Sequence, residues 1–573
     1  MKKSKKHIKK NKCFFVLGAF FLLVCVFACV FVFGGAKQDV SRYVLVNQTK
    51  ENVSELEPSH NVEKLVADWE KYIKNNSSHG IEFNGGVFMG RTEDKHITLK
   101  WGTPVDKAYF IVKNGNVEMY RTNVMGTDSF TFSDGIHGGK YTFLLEFTDN
   151  GTKYYKKIER KFLDFDKLPV LTTFYIETED GEDPMFIQAP KPKNKEYTGL
   201  TIINNDYKNA ILNKNTPIKI RVHGNSSALI DYKKSYKIVF EDKKDLLGLG
   251  DEYADTEWVL LGQFGIKTYL GFEMGRAIGI EWEPRMRFVN VMLNGDWKGL
   301  YVLCEPVKRH PKRLNVDSDG FIIESDAYWW REQKDTYFPS SVLAKKVKFT
   351  FKYPKKLTSS DERFIATENQ IKEIDNAIQN DLEHIDKYID FDSHINWLLA
   401  HELLGTQDGF GSNMFFFKEN PNGKLKMGPL WDFDSCVAWQ KYDHSKFWTT
   451  ESTYLPFLLE NQDFKRQYFE RYFTVVSTFE PTIRALLEKL RNVPGLKDSW
   501  ILDDRGYVSR SADNLDDAID SLTIWLHDHI EWLNQYMEKE KQKMSFDKTI
   551  SMFRTKDILF LSEQKTNDKE LAL

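Results

Sequence analysis

The stretch Asp408-Gly-Phe-Gly-Ser-Asn413-Met-Phe-Phe-Phe-Lys418, followed by Trp431-Asp432-Phe433-Asp434, decides how the C-terminal part of the chain is interpreted. A pattern typical of a helix, residues 392–404, precedes it. A polar turn over residues 419–424 separates the apolar run from a second short strand and the acidic motif. The predicted order is therefore a helix, a polar loop containing Asp and Asn, a hairpin and an acidic motif.

The spacing within this region has a chemical interpretation. Asp408 and Asn413 lie five positions apart, as do the proton-accepting Asp and the metal-binding Asn of protein kinases, in which a hairpin then leads to a metal-binding Asp. A triphosphate needs hard oxygen ligands for its magnesium and a carboxylate near the attacking hydroxyl. We therefore predict Asp408 as the catalytic residue and Asn413, Asp432 and Asp434 as metal ligands. Asp and Asn are also common turn and capping residues, so the spacing alone leaves a structural explanation open.

Further motifs raise the weight of this interpretation. In chain order they are Arg221-Val-His-Gly-Asn-Ser-Ser227, Lys233-Lys-Ser-Tyr-Lys-Ile238, Trp258-Val-Leu-Leu261, Leu293-Asn-Gly-Asp-Trp-Lys-Gly-Leu-Tyr-Val-Leu-Cys-Glu305 and Trp431-Asp-Phe-Asp434. Together, over roughly residues 168–540, they resemble the CotH family of spore-coat protein kinases. The resemblance implies an atypical, two-lobed protein-kinase domain that uses ATP with Mg²⁺, or alternatively Mn²⁺, and phosphorylates Ser or Thr of another protein.

The resemblance also assigns individual residues on the nucleotide side of the site. It implies a loop over the phosphates formed by Gly224, Asn225, Ser226 and Ser227. It implies Lys237 as the phosphate-contacting lysine, with Lys234 as a rival, although either could be a solvated strand-edge lysine. Glu305 closes a strand at a position like the hinge that borders the adenine, but a lone Glu at a strand end is more often a surface residue.

Departures from the family pattern leave other functions open. Residues 265–271 lack the Asp and Arg-Asn that relatives often have before the following helix, and the acidic motif has Asp434 where kinases have Gly. A catalytically inactive surface scaffold is therefore one alternative. A surface carbohydrate-active protein is another, because Glu324 and Asp326 lie beside the aromatic run 328–330, and paired carboxylates with stacking aromatics could serve glycoside cleavage.

The N-terminus predicts a membrane anchor. Seven lysines among the first twelve residues precede residues 13–33, which contain no charged side chain. As a helix this segment would be about 31 Å long, enough to cross the hydrocarbon core. Lysines before such a segment stay cytoplasmic, so the bulk of the chain is expected outside the membrane. A cleaved signal ending near Ala36, or a lipoprotein processed at Cys29, remains as an alternative with the same consequence.

Composition and residue patterns indicate which other classes of protein and domain to expect. A net charge of −3 gives no basic excess, so a nucleic-acid partner is not expected. Cys304 and Cys436 are the only cysteines after the anchor, which rules out a disulfide framework. Strands that alternate apolar and polar residues from about Ile81 to Phe165 predict a fibronectin type III or immunoglobulin-like β-sandwich.

The predicted fold class is α+β, a two-lobed kinase-like domain preceded by a β-sandwich and one transmembrane helix. The predicted divisions are a basic segment 1–12, the anchor 13–33, a spacer 34–80, the β-sandwich 81–165, the kinase-like domain 166–540 and a charged tail 541–573. The predicted partners are a secreted or surface protein substrate and the membrane.

Overall fold

The computed structural model describes the following parts of the chain: residues 81–83, 97–101, 107–127, 129–132, 139–149, 152–162, 171–179, 183–187, 193–194, 196–205, 209–224, 228, 233–263, 265–326, 336–343, 348–406, 413–433, 436–437, 444–447, 454–503 and 514–546. The chain divides into two compact units. The first comprises residues 1–167, 177–183 and 294–297, and the second comprises residues 168–176, 184–293 and 298–573.

The first unit contains two antiparallel sheets. One has the order β1-β2-β5 and the other β4-β3-β6-β7. The strands are β1 Ile81–Phe83, β2 Ile97–Trp101, β3 Ala108–Asn114, β4 Val117–Asn123, β5 Ser129–Phe132, β6 Gly139–Asp149 and β7 Thr152–Phe162. The sequence predictions of strands at Ile97, Ala108 and Tyr141 are confirmed.

Aromatic side chains join the two sheets of this unit. Phe110 of β3 lies 4.9 Å from Phe130 of β5 between ring centroids, and Phe132 lies 6.3 Å from Phe143 of β6. Alternate residues of a strand point to opposite faces, so Phe110 and Val112 face inward while Tyr109 is partly exposed. The assignment of this unit to the fibronectin III or immunoglobulin class stays a prediction.

The second unit begins with a closed barrel of seven strands. Its order is β11-β12-β13-β14-β16-β15-β8, in which β8 pairs with β15 in parallel. The strands are β8 Thr173–Thr178, β11 Tyr197–Asn205, β12 Asn209–His223, β13 Ser235–Lys244, β14 Asp255–Leu261, β15 Met286–Leu293 and β16 Asp296–Cys304; a short pair, β9 Phe186–Ile187 and β10 Lys193–Asn194, and the 3₁₀ turn Asp251–Tyr253 complete this part.

Alternation along the barrel strands separates an inside from an outside. Tyr236, Ile238 and Phe240 of β13 are buried in the barrel core, with Trp258 and Leu260 of β14. The intervening positions point outward, and one of them, Val259, belongs instead to the large core of the helical half. The outer face of β12 to β14 is therefore the face that meets the rest of the unit.

The remaining strands form one mixed-length antiparallel sheet. Its order is β18-β19-β17-β20-β21, with β17 Phe321–Asp326, β18 Tyr337–Phe338, β19 Lys348–Tyr353, β20 Met414–Lys418 and β21 Lys426–Met427. The turn predicted over residues 419–424 is confirmed between β20 and β21.

Helices cover this sheet and the outer face of the barrel. They are α1 Gly265–Ile278, α2 Glu362–Asn380, α3 Phe391–Leu403, α4 Leu455–Leu458, α5 Gln462–Arg491, α6 Leu496–Leu502 and α7 Leu515–Phe546, with a 3₁₀ segment at Leu382–Lys387. Nearly every residue of α3 is buried, so α3 is a core helix rather than an amphipathic one. The Asp390 side chain caps it by accepting a hydrogen bond from the Ser393 amide at 2.8 Å.

The helix predicted over residues 392–404 is confirmed as α3. Residues 482–491, whose pattern is also typical of a helix, form the second part of α5, which runs for 30 residues from its cap at Asn461. Pro481 lies within α5, and the sequence pattern was therefore broken there although the helix continues. The mixture of sheets and helices confirms the α+β class.

No helix among the described residues is long and apolar enough to cross a membrane. The predicted anchor, residues 13–33, and the predicted spacer, residues 34–80, lie outside the described residues.

Candidate active site

Two polar residues from separate segments, Asn413 and Asp432, meet just before the first residue of β20. The Asn413 side-chain nitrogen donates a hydrogen bond to a carboxylate oxygen of Asp432 at 2.6 Å. Both residues have left-handed backbone conformations, with φ of 63° and 64°. Such conformations in residues other than glycine are strained and concentrate at functional sites. Asp432 is exposed and Asn413 half-buried, so their oxygens face an accessible region.

The residue after Asp432 fixes this loop in the core. The Phe433 ring stacks on His401 of α3, with 5.1 Å between centroids and 10° between planes. On its other side Phe433 lies against Gly271 of α1, where an added Cβ would come within 2.2 Å of the ring. Burial lowers the pKa of His401 to about 3, so its ring is neutral in this contact. Helices α1 and α3 therefore both contact the Phe433 ring, and α1 also meets the acidic motif where Phe272 packs on Trp431.

A close glycine contact follows the end of α3, ahead of Asp408 in the sequence. After Leu403, Gly405 adopts a φ of 55°, and a Cβ there would lie 2.4 Å from the Trp525 ring of α7. Only glycine fits this close approach without displacement. Asp408 itself, like Asn225, Ser226, Ser227 and Asp434, lies outside the described residues.

The outer face of the barrel supplies the positive side of the site. Lys237 of β13 forms an ion pair with Glu257 of β14 at 2.9 Å. Lys308 and Lys355 approach the same carboxylate at 3.3 and 3.6 Å. Burial acts to raise the pKa of Glu257, but Lys237, Lys355 and Lys308 lower it overall to about 2. Three ammonium groups thus share this carboxylate.

A histidine connects this face with the acidic motif. His223, at the end of β12, lies edge-on to Trp431, with 6.3 Å between ring centroids. Burial, followed by the positive charges of Arg221, Lys237 and Lys352, lowers the pKa of His223 to about 3. The imidazole is therefore neutral at physiological pH, and Arg221, Lys237 and Lys352 all lie close enough to act on it.

Two other residues predicted on the nucleotide side, Gly224 and Lys234, are also described by the structure. Gly224 follows His223 directly and has a φ of 103°, so the loop predicted over the phosphates begins beside Trp431. Lys234 is buried, and its carbonyl accepts a hydrogen bond from the Tyr301 hydroxyl at 3.0 Å. Between the two rival lysines, Lys237 is the one whose ion pair belongs to the outer face of the barrel.

Glu305 lies in a closed ion cluster. Its side chain is fully buried and accepts hydrogen bonds from the Arg285 guanidinium at 2.8 Å, from the Arg285 amide at 2.9 Å and from Arg313 at 3.1 Å. Arg313 also pairs with Asp255 at 2.9 Å. These contacts explain the burial of Glu305 by themselves, and its predicted contact with adenine stays a prediction.

Two residues of this site were missed by sequence reasoning. Glu257 was not singled out, because nothing in the sequence shows that β13 and β14 pair with Lys237 opposite Val259. Lys352 of β19 was also missed; it forms an ion pair with Glu324 of β17. The alternation of charged and apolar residues in both strands could have indicated outward positions but not their partners.

The residues present fit a divalent cation bound together with phosphate oxygens. The Asp432 carboxylate and the Asn413 amide oxygen are hard donors of the kind Mg²⁺ prefers. Within the described ranges no group of three or more His, Cys, Asp or Glu side chains is arranged to hold a metal ion.

Comparison with known proteins identifies the family. No curated protein matches the chain. The family model described as CotH kinase protein matches residues 220–544, which is 325 of the 573 residues and includes His223, Lys237, Asn413 and Asp432. Because the match covers more than half of the sequence, this chain belongs to the CotH family.

Proposed function

We propose that this protein transfers the terminal phosphate of ATP to Ser or Thr side chains of secreted or cell-surface proteins. Membership of the CotH family suggests a kinase-type function. The finer statement rests on one observation: Asn413 is hydrogen-bonded to Asp432, the residue after Trp431, and the Trp431 ring meets His223 on the strand that pairs with the one carrying Lys237. Phosphoryl transfer needs this combination, since catalysis is mainly positioning and charge stabilisation.

In this proposal the barrel corresponds to the nucleotide-binding lobe and the helical half to the metal-binding lobe. Lys237, held by Glu257, contacts the phosphates, and burial lowers the pKa of Lys237 while Glu257 acts to raise it. Neutral His223 and Trp431 border the phosphate loop that begins at Gly224. A bound Mg²⁺ would neutralise charge on the phosphates. Asp432 and Asn413 would hold it, with Asp434 as a further candidate.

Asp408 remains the candidate for the residue that orients the attacking hydroxyl and accepts its proton. In the sequence it lies five positions before Asn413 and five positions after Leu403, the last residue of α3. The N-terminal anchor would hold this site on the outer side of a membrane, where its substrates are expected.

The test uses the full chain. Melting temperature is measured with ATP, with Mg²⁺ and with both, and labelled phosphate incorporation is measured on a Ser/Thr-rich acceptor. We expect a stabilisation that needs ATP and Mg²⁺ together, and incorporation that Asp408→Asn reduces by orders of magnitude while ATP affinity is largely kept. Binding without incorporation would instead support the inactive scaffold, and no binding would remove the kinase proposal.

No specific observation supports the alternative of a surface carbohydrate-active protein. Glu324 is ion-paired with Lys352, which favours its charged form, whereas a glycosidase general acid needs a raised pKa. The aromatic residues that suggested this function, 328–330, lie outside the described residues.

A further inference from the structure

A second ion pair of lysine and glutamate lies on the metal side of the site. Lys352 of β19 pairs with Glu324 of β17, and its ammonium lies 5.8 Å from the centroid of the Phe415 ring of β20. In the strand register Glu324 lies opposite Phe415, two residues after Asn413. Lys352 is thus anchored on the sheet whose β20 strand carries the predicted metal-binding asparagine at its start.

A chain of aromatic contacts links this ion pair to the acidic motif. Phe415 meets Trp431 edge to face, with 6.5 Å between ring centroids, and Trp431 in turn meets His223. Lys352 is one of the three cations that act on His223, although it comes from a different sheet than Arg221 and Lys237. Aromatic rings therefore connect Lys352 with Trp431, the residue before Asp432, and with His223.

Exposure distinguishes the two members of the pair. The Glu324 side chain is 8 % exposed, whereas the Lys352 side chain is 34 % exposed. The carboxylate is fixed within the sheet, while the ammonium remains reachable by a ligand. An ion pair of lysine and glutamate also occurs at Lys237 and Glu257, where the two side chains are about equally buried.

We propose that Lys352 is a second phosphate-contacting residue, oriented by Glu324, that binds the terminal phosphates of a nucleoside triphosphate from the metal side. This inference rests on the proposed function and names a residue that it does not require. One lysine and one Mg²⁺ leave negative charge on the triphosphate, and a second ammonium beside the metal ligand stabilises that charge.

The test measures the affinities of ATP and adenosine by calorimetry at fixed Mg²⁺. Lys352→Met should weaken ATP binding by about tenfold, since a charge-assisted contact is lost, and leave adenosine binding unchanged. Lys352→Arg should keep most of the ATP affinity. The matched control is Lys348→Met, which removes the same charge from the same strand at a residue without an assigned role, and it should bind both ligands as the unmodified chain does.

The outcomes separate this inference from the proposed function. If the unmodified chain binds no ATP, the proposed function fails. If it binds ATP and Lys352→Met binds ATP equally well, only the role of Lys352 is overturned. Equal loss of ATP and adenosine binding would also overturn it, because that result indicates structural damage. Should Lys352→Met melt early, Lys352→Gln, which keeps a polar end group, provides the same comparison.

Discussion

Two clusters of polar residues in the second unit differ in the way they are built. Glu305 is enclosed by Arg285 and Arg313, and its side chain is fully buried. Asn413 and Asp432 form a shorter contact, 2.6 Å, yet Asp432 is exposed and both residues have strained backbones. The first cluster is closed by protein groups, whereas the second presents oxygens to solvent at a cost in conformational energy.

This difference shows what burial adds to a sequence motif. In the sequence, Glu305 and Asp432 are both acidic residues at the ends of apolar runs, and both were assigned to the nucleotide site. A buried carboxylate with two guanidinium partners contributes to stability because removing it leaves uncompensated charges. A strained, exposed pair gains nothing comparable from folding, so its geometry is better explained by a ligand.

The largest effect is expected for Asp432→Asn. Phosphate transfer should fall by about 10³-fold or more, equivalent to about 4 kcal/mol of transition-state stabilisation, because a charged metal ligand is lost. Binding of ATP should lose its dependence on Mg²⁺, while the melting temperature stays unchanged because the residue is exposed. Asp319→Asn, at an exposed turn, is the control. Unchanged metal-dependent affinity would transfer the ligand role to Asp434.

Glu305→Gln should produce the opposite result. The replacement leaves Arg285 without its carboxylate, removes one of the two carboxylates that pair with Arg313 and places an amide donor against them, so the free energy of unfolding should fall by about 3 kcal/mol. Urea unfolding of the full chain measures this change. If stability were kept while ATP affinity fell, the predicted adenine contact would be supported and the contrast between the two clusters would break down.

Gly271→Ala tests whether the exposed pair depends on the packing behind it. The new methyl group collides with Phe433, so we expect a loss of about 2 kcal/mol in stability. Metal-dependent ATP binding should weaken as well, since Phe433 adjoins Asp432. Adding Phe433→Leu makes room beside α1 and should restore part of the stability. Simple additivity of the two losses would show that the ring and the glycine act independently.

The smallest effect concerns Glu283, a buried carboxyl without a cation in hydrogen-bond contact. It accepts a hydrogen bond from the Leu430 amide at 3.0 Å, and burial raises its pKa well above the ordinary value. Unfolding therefore releases a proton above the ordinary glutamate pKa, and stability falls as the pH rises, by about 1.4 kcal/mol at most between pH 5 and pH 6. Glu283→Gln should remove this decrease in urea unfolding series. Parallel pH profiles of the two proteins would contradict the assignment.

The sequence predicted the local parts of the site because they depend on short spacings. The helix before residue 408, the hairpin after β20 and the approach of Asn413 to Asp432 follow from residues that lie within about twenty positions of each other. The resemblance implies Lys237, with Lys234 as a rival, and in the structure Lys237 lies on the outer face of the barrel, paired with Glu257.

The remaining contacts depend on pairings that local patterns do not contain. Lys352 and Glu324 are joined by the register of β17 and β19, and Glu305 meets Arg313 through a turn of irregular backbone. The contact of Gly271 with Phe433 joins residues far apart in the chain. Period and spacing define faces of elements, whereas the neighbour of each face is set by tertiary packing.

The parallel pairing of β8 with β15 has a consequence for cutting the chain. Residue 173 pairs with residue 290, so the barrel closes only when a strand from its beginning meets one synthesised more than a hundred residues later. The family match begins at residue 220, inside β12. A fragment started there lacks β8, β11 and most of β12 and exposes unpaired strand edges, which promote aggregation. The unit that folds on its own therefore begins before β8, upstream of the boundary that family comparison alone would suggest.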